Sequence, residues 1–183
     1  MLVIQISGYK GSGKDTLANY LWENVENVQL HAYADKLKQL FGWKTQLSLQ
    51  DIEIGKRNND LVYESIRKAF PSLDVPNVRN GLILAGKQLR EEFGAEFFIN
   101  TVKTDIEICE DQDTIHIITD MRYKNEYNAF PDALRVRVDR QSCKTTLETE
   151  GALDDEYFDL FLNNNTTIEN YMKECEVVAN LIN

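Results

Sequence analysis

Three prolines, three cysteines and two histidines are all that 183 residues contain of these types, and each scarcity excludes something. So little proline, beside 43% hydrophobic and 27% charged residues and no low-complexity tract, leaves an ordinary globular composition of one-domain size. Cys109, Cys143 and Cys175 form no CxxC pair, which argues against a disulfide framework or cysteine zinc site. Free, mostly buried thiols and a reducing, cytoplasmic location are expected instead. His31 and His116 are too few to make a zinc site. Basic residues are outnumbered 20 to 30, and a net charge of −10 speaks against a nucleic acid polymer as partner, because that needs a broad basic face. A small anion is still allowed, since a pocket's local field can oppose the global charge. No apolar run approaches the roughly 18–20 residues of a membrane span, so no membrane partner is expected. The opening "MLVIQIS" reads as a strand rather than a signal peptide.

What is present alternates between two periodicities. "LVIQI" is a short run rich in β-branched residues, as a strand buried on both faces requires. Leu17, Ala18, Leu21 and Trp22 then recur at helical spacing. "VQLHAYA" suggests a second strand, and "DKLKQLFGW" a helix that Asp35 is placed to cap. Residues 44–78 are less regular and read as an excursion from the core. Within them "LVYESIRKAF" looks helical, and Pro71 and Pro76 bracket a turn. Leu82, Ala85, Leu89 and Phe93 form a helical stripe, which "AEFFINTVKTDIEI" is expected to continue. "TIHIITD", "ALRVRVD" and "YFDLFLNNN" read as further strands, and Thr166 with Glu169 fits a capping box that opens a closing helix. Strands alternating with helices predict an α/β fold: a mainly parallel sheet between two helical layers, in a single domain over residues 1–183.

Between the first strand and the first helix lies "GYKGSGKDT". Gly8, Gly13 and Lys14 satisfy G-x-x-x-x-G-K, and the flanking strand and helix supply the required context. Gly8, Gly11 and Gly13 let the backbone wrap closely around a phosphate, with Ser12 in the same turn. The helix beginning near Lys14 adds the positive end of its dipole, and Lys14 reaches the β- and γ-phosphates as a point charge. The hydroxyl residue that usually follows the lysine and binds Mg²⁺ is replaced by Asp15, with Thr16 next. Asp15 would meet the metal through water or simply favour the helix N-terminus. Thr16 would donate to an α-phosphate oxygen.

A switch GTPase would carry NKxD and DxxG motifs, which do not occur, and the chain is short for a translocating ATPase. Length favours a small-molecule kinase, in which catalysis is positioning plus neutralisation of the transferring phosphoryl. Arginines from outside the loop are needed, and Arg79, Arg90, Arg122, Arg137 and Arg140 are the candidates.

Four blocks of the chain resemble the phage-type deoxynucleoside monophosphate kinases, a branch of the P-loop nucleoside monophosphate kinases. They are "GYKGSGKDTLANYL", "YADKLKQLF", "VRNGLILAGKQLREEFGAEFFI" and "ITDMRYKNEYNAF", joined by the tail "FDLFLNNNTTIENY". Two departures are a "LIL" where the family often has a Leu-Gln pair, and a compact middle excursion. The resemblance implies a P-loop kinase that moves a phosphoryl group from ATP–Mg²⁺ to a (deoxy)nucleoside 5′-monophosphate. That enzyme would be cytoplasmic, in the host's cytoplasm if the chain is phage-encoded, and the excursion would close over the acceptor.

The resemblance also distributes roles. Asp120 would hold Mg²⁺ through water or contact the acceptor; its simpler reading is a carboxylate that pairs Arg122 or caps a helix. Arg122 would meet a phosphate or the acceptor base, with Asn125 and Glu126 orienting it. Arg79, placed before the long helix, would bind the acceptor phosphate. Arg90, on the Gly86 face of that helix, would stabilise the transferring group. Surface ion pairs with Glu91 or Glu92 are the alternative for both. Asp35 would bind the acceptor sugar or base, or only cap its helix. Arg137 and Arg140 would make lid or adenine-side contacts, although Arg135 and Arg137 also fit a solvated strand face. His31, His116 and the cysteines are assigned to packing, and the acidic run "LETEGALDDE" to solubility. Rival readings are a dephospho-coenzyme A kinase or other metabolite kinase, and a regulator that binds ATP without turnover. Oligomeric state is not legible.

Overall fold

The computed structural model describes residues 1–143 and 151–183, and these fall into two compact units. The first comprises Met1–Ala32 and Val102–Asn183, and the second Tyr33–Thr101. Residues 147–150 of the acidic run lie outside the described residues.

In the first unit five strands form one sheet: β1 (Leu2–Ser7), β2 (Val28–His31), β3 (Ile115–Ile118), β4 (Leu134–Asp139) and β5 (Leu160–Asn163). Their order is β2-β3-β1-β4-β5, every pairing is parallel, and helices flank the sheet. β1 is central and β3 is buried along its whole length, which explains why both are mostly apolar, with Gln5, Ser7 and His116 as buried polar exceptions. Helix α1 (Lys14–Asn24) buries Leu17, Ala18 and Leu21, whereas Trp22 is turned outward. The core joins these to Ile4, Ile6, Val136, Val138 and Leu162, and to Tyr171, Cys175, Val178 and Ala179 of the last helix.

The second unit is wholly helical apart from a bridge between Val62 and Asn77. It is wider than the 44–78 stretch that the sequence sets apart. Its helices are α2 (Tyr33–Thr45), α3 (Leu49–Arg57), α4 (Glu64–Ala69) and α5 (Val78–Phe93), and the chain leaves it within α6 (Phe97–Glu107). Phe41, Ile52, Ile66, Phe70, Val78 and Ala85 form its own core, with Phe41 and Phe70 stacked at 5.8 Å. A short helix α7 (Lys124–Tyr127) and the closing α8 (Ile168–Ile182) return to the first unit.

Four local expectations are corrected. The polar stretch after Lys44 contains α3, because Ser48 and Asp51 exchange hydrogen bonds in a capping box. The helix over 78–107 is broken at Gly94, whose φ of 94° is outside the helical region, so α5 and α6 are separate. Thr167 rather than Thr166 caps α8, its hydroxyl accepting from the Asn170 N–H at 3.3 Å. Asp35 is not a cap: α2 already begins at Tyr33, which leaves Asp35 exposed in the first turn, 3.3 Å from Lys38 Nζ.

Candidate phosphate-binding site

The loop leaves the C-terminal end of the central strand, where open α/β sheets hold ligands. Gly8 and Gly13 have φ of 145° and 113°, and neither has room for a side chain. A Cβ on Gly8 would come within 2.4 Å of the Val138 carbonyl oxygen, and one on Gly13 within 2.7 Å of Asn164 Nδ2. Both glycines are therefore required for conformation and for space. Lys14 is buried, and its ammonium donates to the carbonyls of Gly8 at 2.6 Å and Tyr9 at 2.7 Å. The Ser12 N–H closes the turn onto the same Tyr9 carbonyl at 3.1 Å. The Ser12 hydroxyl is wholly buried and has no partner among the described residues. An orphaned buried hydroxyl costs about 1–3 kcal/mol, which a phosphate oxygen would remove.

Other elements hold this loop from outside. The Tyr171 hydroxyl, from α8, donates to the Gly13 carbonyl at 2.8 Å, and Asn164 Nδ2 donates to the Ser12 carbonyl at 2.8 Å. Arg137, expected to face the nucleotide, is buried and bonded to protein groups beside the loop. Its Nη1 donates to Ser7 Oγ at 3.0 Å, and its Nη2 pairs with the Asp154 carboxylate. The other oxygen of Asp154 accepts from the Tyr9 hydroxyl. That hydrogen bond, with burial, raises the Tyr9 phenol above its ordinary 10.0, so it remains a donor. Arg135 is not on a solvated face either: its guanidinium covers the Tyr127 ring at 4.3 Å and donates to the Tyr127, Phe130 and Pro131 carbonyls. Arg140 is exposed beside the loop, with Nη1 3.5 Å from the Gly11 carbonyl.

Asp120 lies just past β3. The register Gln5↔Ile118 and the Met121 N–H donating to the Ile6 carbonyl at 3.2 Å set it beside the point where β1 enters the loop. Arg122 follows, and the buried Glu126 carboxylate accepts the backbone N–H groups of Arg122 at 2.7 Å and Tyr123 at 3.0 Å. The Glu126 carbonyl in turn accepts from Gln5 Nε2 of β1 at 2.7 Å. Glu126 thus fixes the backbone that carries Arg122 by accepting two of its main-chain N–H groups.

Asp35, Arg79 and Arg90 belong to the helical unit. Arg79 is the second residue of α5, inside the helix rather than before it, and its buried Nε has no partner. Arg90 donates to the Gly86 carbonyl at 3.3 Å and lies over the Phe98 ring at 4.9 Å. The Gly86 gap admits this guanidinium: a Cβ there would be 3.3 Å from Arg90 Nη1.

Among the described residues, no group of three or more His, Cys, Asp or Glu is placed to hold a metal ion. Mg²⁺ suits what is present, because it binds through one or two carboxylates plus substrate phosphates. Asp15, exposed in the first turn of α1, Thr16 beside it, and Asp120 are the oxygen donors at this edge. Sequence reasoning missed the Tyr9, Asp154, Asn164 and Tyr171 supports. Their partners are up to 158 residues away along the chain, so no local pattern marks them.

This all-parallel sheet with a glycine loop leading from its central strand into a helix is a P-loop kinase fold. No protein-family model matches the sequence, and no curated protein does. Among solved structures, the dephospho-CoA kinase from Campylobacter jejuni aligns over 98% of this chain and 96% of its own, at a TM-score of 0.55 and 11% identity. TT1252 from Thermus thermophilus aligns over 100% and 98%, at a TM-score of 0.49 and 14% identity.

Proposed function

We propose that the protein transfers the γ-phosphoryl group of ATP to a (deoxy)nucleoside 5′-monophosphate. The observation that carries this is the loop itself: two glycines with no space for a side chain, a lysine tethered to loop carbonyls, and a buried serine hydroxyl without a partner. Lys14 holds the β- and γ-phosphates, Ser12 donates to a phosphate oxygen, and the α1 N-terminus favours the anion. Mg²⁺, when bound, neutralises phosphate charge as the phosphoryl group moves. The acceptor phosphate oxygen is already anionic, so no general base is needed. Arg122 binds the acceptor; in the helical unit, the Arg79 Nε without a partner among the described residues is a donor suited to a phosphate. Arg140 lies on the nucleotide side. The acceptor assignment rests on the resemblance of the Asp120–Glu126 segment.

A second acceptor, dephospho-coenzyme A, is favoured by the activity named for the Campylobacter jejuni structure. The experiment is ADP release with ATP–Mg²⁺ against the common deoxy- and ribonucleoside monophosphates, modified deoxynucleotides and dephospho-coenzyme A. Turnover with a deoxynucleoside monophosphate supports the proposal. Turnover with dephospho-coenzyme A alone overturns the substrate. No turnover anywhere, with ATP still bound, makes the chain a nucleotide-binding regulator.

A further inference from the structure

Ser7 and Tyr9 stand on either side of Gly8, and both are tied to one ion pair, between the buried Arg137 and the exposed Asp154. Arg137 donates to Ser7 Oγ at 3.0 Å, Asp154 accepts from the Tyr9 hydroxyl, and Arg137 and Asp154 are paired with each other. The Arg137 guanidinium also lies 5.2 Å from the Tyr9 ring centre and 5.6 Å from that of Phe158. The backbone between these clamps carries the Gly8 and Tyr9 carbonyls to which Lys14 is tethered.

We propose that Arg137 and Asp154 are positioning residues of the phosphate loop, acting through Ser7 and Tyr9 on the placement of Lys14, and that Arg137 does not touch the nucleotide. This rests on the loop binding nucleotide phosphate, as proposed above. An ion pair whose carboxylate is open to solvent, as Asp154 is, contributes little to stability by itself. Its use here is geometric: a planar guanidinium addresses Ser7 and Asp154 at once, and a carboxylate with both oxygens engaged passes the constraint to Tyr9. A misplacement of about 1 Å at the lysine is enough to lower transfer about a hundredfold.

The test is calorimetric titration of ATP–Mg²⁺ into the full chain for the wild type, Tyr9→Phe, Asp154→Asn and their double variant. Arg137→Met would remove a buried guanidinium that packs against the Tyr9 and Phe158 rings and risk the fold, so the milder variants carry the experiment. Each single variant is expected to weaken binding about tenfold, the equivalent of one charge-assisted hydrogen bond. The double variant should lose no more than either single one, because both break the same chain of contacts. If Arg137 were a direct ligand, Asp154→Asn would release it toward the nucleotide and tighten binding, and that sign overturns the proposal. Unchanged affinity in both single variants, whatever their urea midpoints, also overturns it. A wild type that binds no ATP–Mg²⁺ removes this inference and the proposed function together. Binding that weakens in the variants supports the inference even if no acceptor is phosphorylated.

Discussion

The hydroxyl of Tyr171 donates to the carbonyl of Gly13 at 2.8 Å, so the closing helix grips the residue that caps the first one. That carbonyl also accepts the Leu17 N–H at 3.0 Å. Tyr171→Phe leaves the carbonyl with that one partner and keeps the packed ring. The expected loss is about 1 kcal/mol in urea unfolding, at the lower end for a buried hydrogen bond. A stability unchanged from wild type would show that the contact contributes nothing.

Lys14→Ala should leave a folded protein, because the ammonium donates to the loop carbonyls of Gly8 and Tyr9 and the glycine conformation of the loop does not depend on it. Phosphoryl transfer should fall about a hundredfold or more, ~3 kcal/mol of transition-state stabilisation. Near-normal turnover in steady-state assays would remove the loop from the chemistry.

Glu126→Gln tests the turn that carries Arg122. One carboxylate oxygen accepts two backbone N–H groups, and a neutral amide oxygen holds them less strongly. A loss of about 1.5 kcal/mol in stability is expected. The Michaelis constant for the acceptor should rise while that for ATP stays near its wild-type value. Equal changes in both constants would mean that the turn supports the whole edge of the sheet.

Stability should also fall on mild acidification. Burial, and to a lesser extent the nearby N-terminal ammonium, lowers the His116 pKa below its ordinary 6.5, so the fold holds a neutral ring 3.0 Å from His31 Nε2. The unfolded chain takes up that proton first. The contribution of His116 is therefore complete above pH 6.5 and is lost as the pH falls from there through the folded value. Glu53 and Glu169, lowered from 4.5, act only at more acid pH. Urea midpoints between pH 7.5 and 5.5 should decline in the wild type and stay flatter in His116→Gln; parallel curves would exclude the histidine as the cause.

The sequence alone determined the glycine loop between the first strand and first helix, and the class of fold. Both are written locally: the loop needs only Gly8, Gly13 and Lys14 at fixed spacing, and buried parallel strands such as "LVIQI" and "IHII" are apolar at nearly every position. Local patterns misled where short polar groups compete. The capping box of Ser48 and Asp51 hid in a polar stretch, Gly94 broke what looked like one helix, and the cap of α8 fell one residue later than expected. Tertiary structure decided what supports the loop. Arg137 looks from the sequence like a nucleotide ligand or a solvated strand residue, and only the arrival of Asp154 and Ser7 shows it buried and bonded to both. Tyr171 looks like one more apolar position on an amphipathic helix until its hydroxyl meets Gly13. Side-chain chemistry is local, but the partner that gives it a task comes from another strand or helix, and periodicity does not encode which.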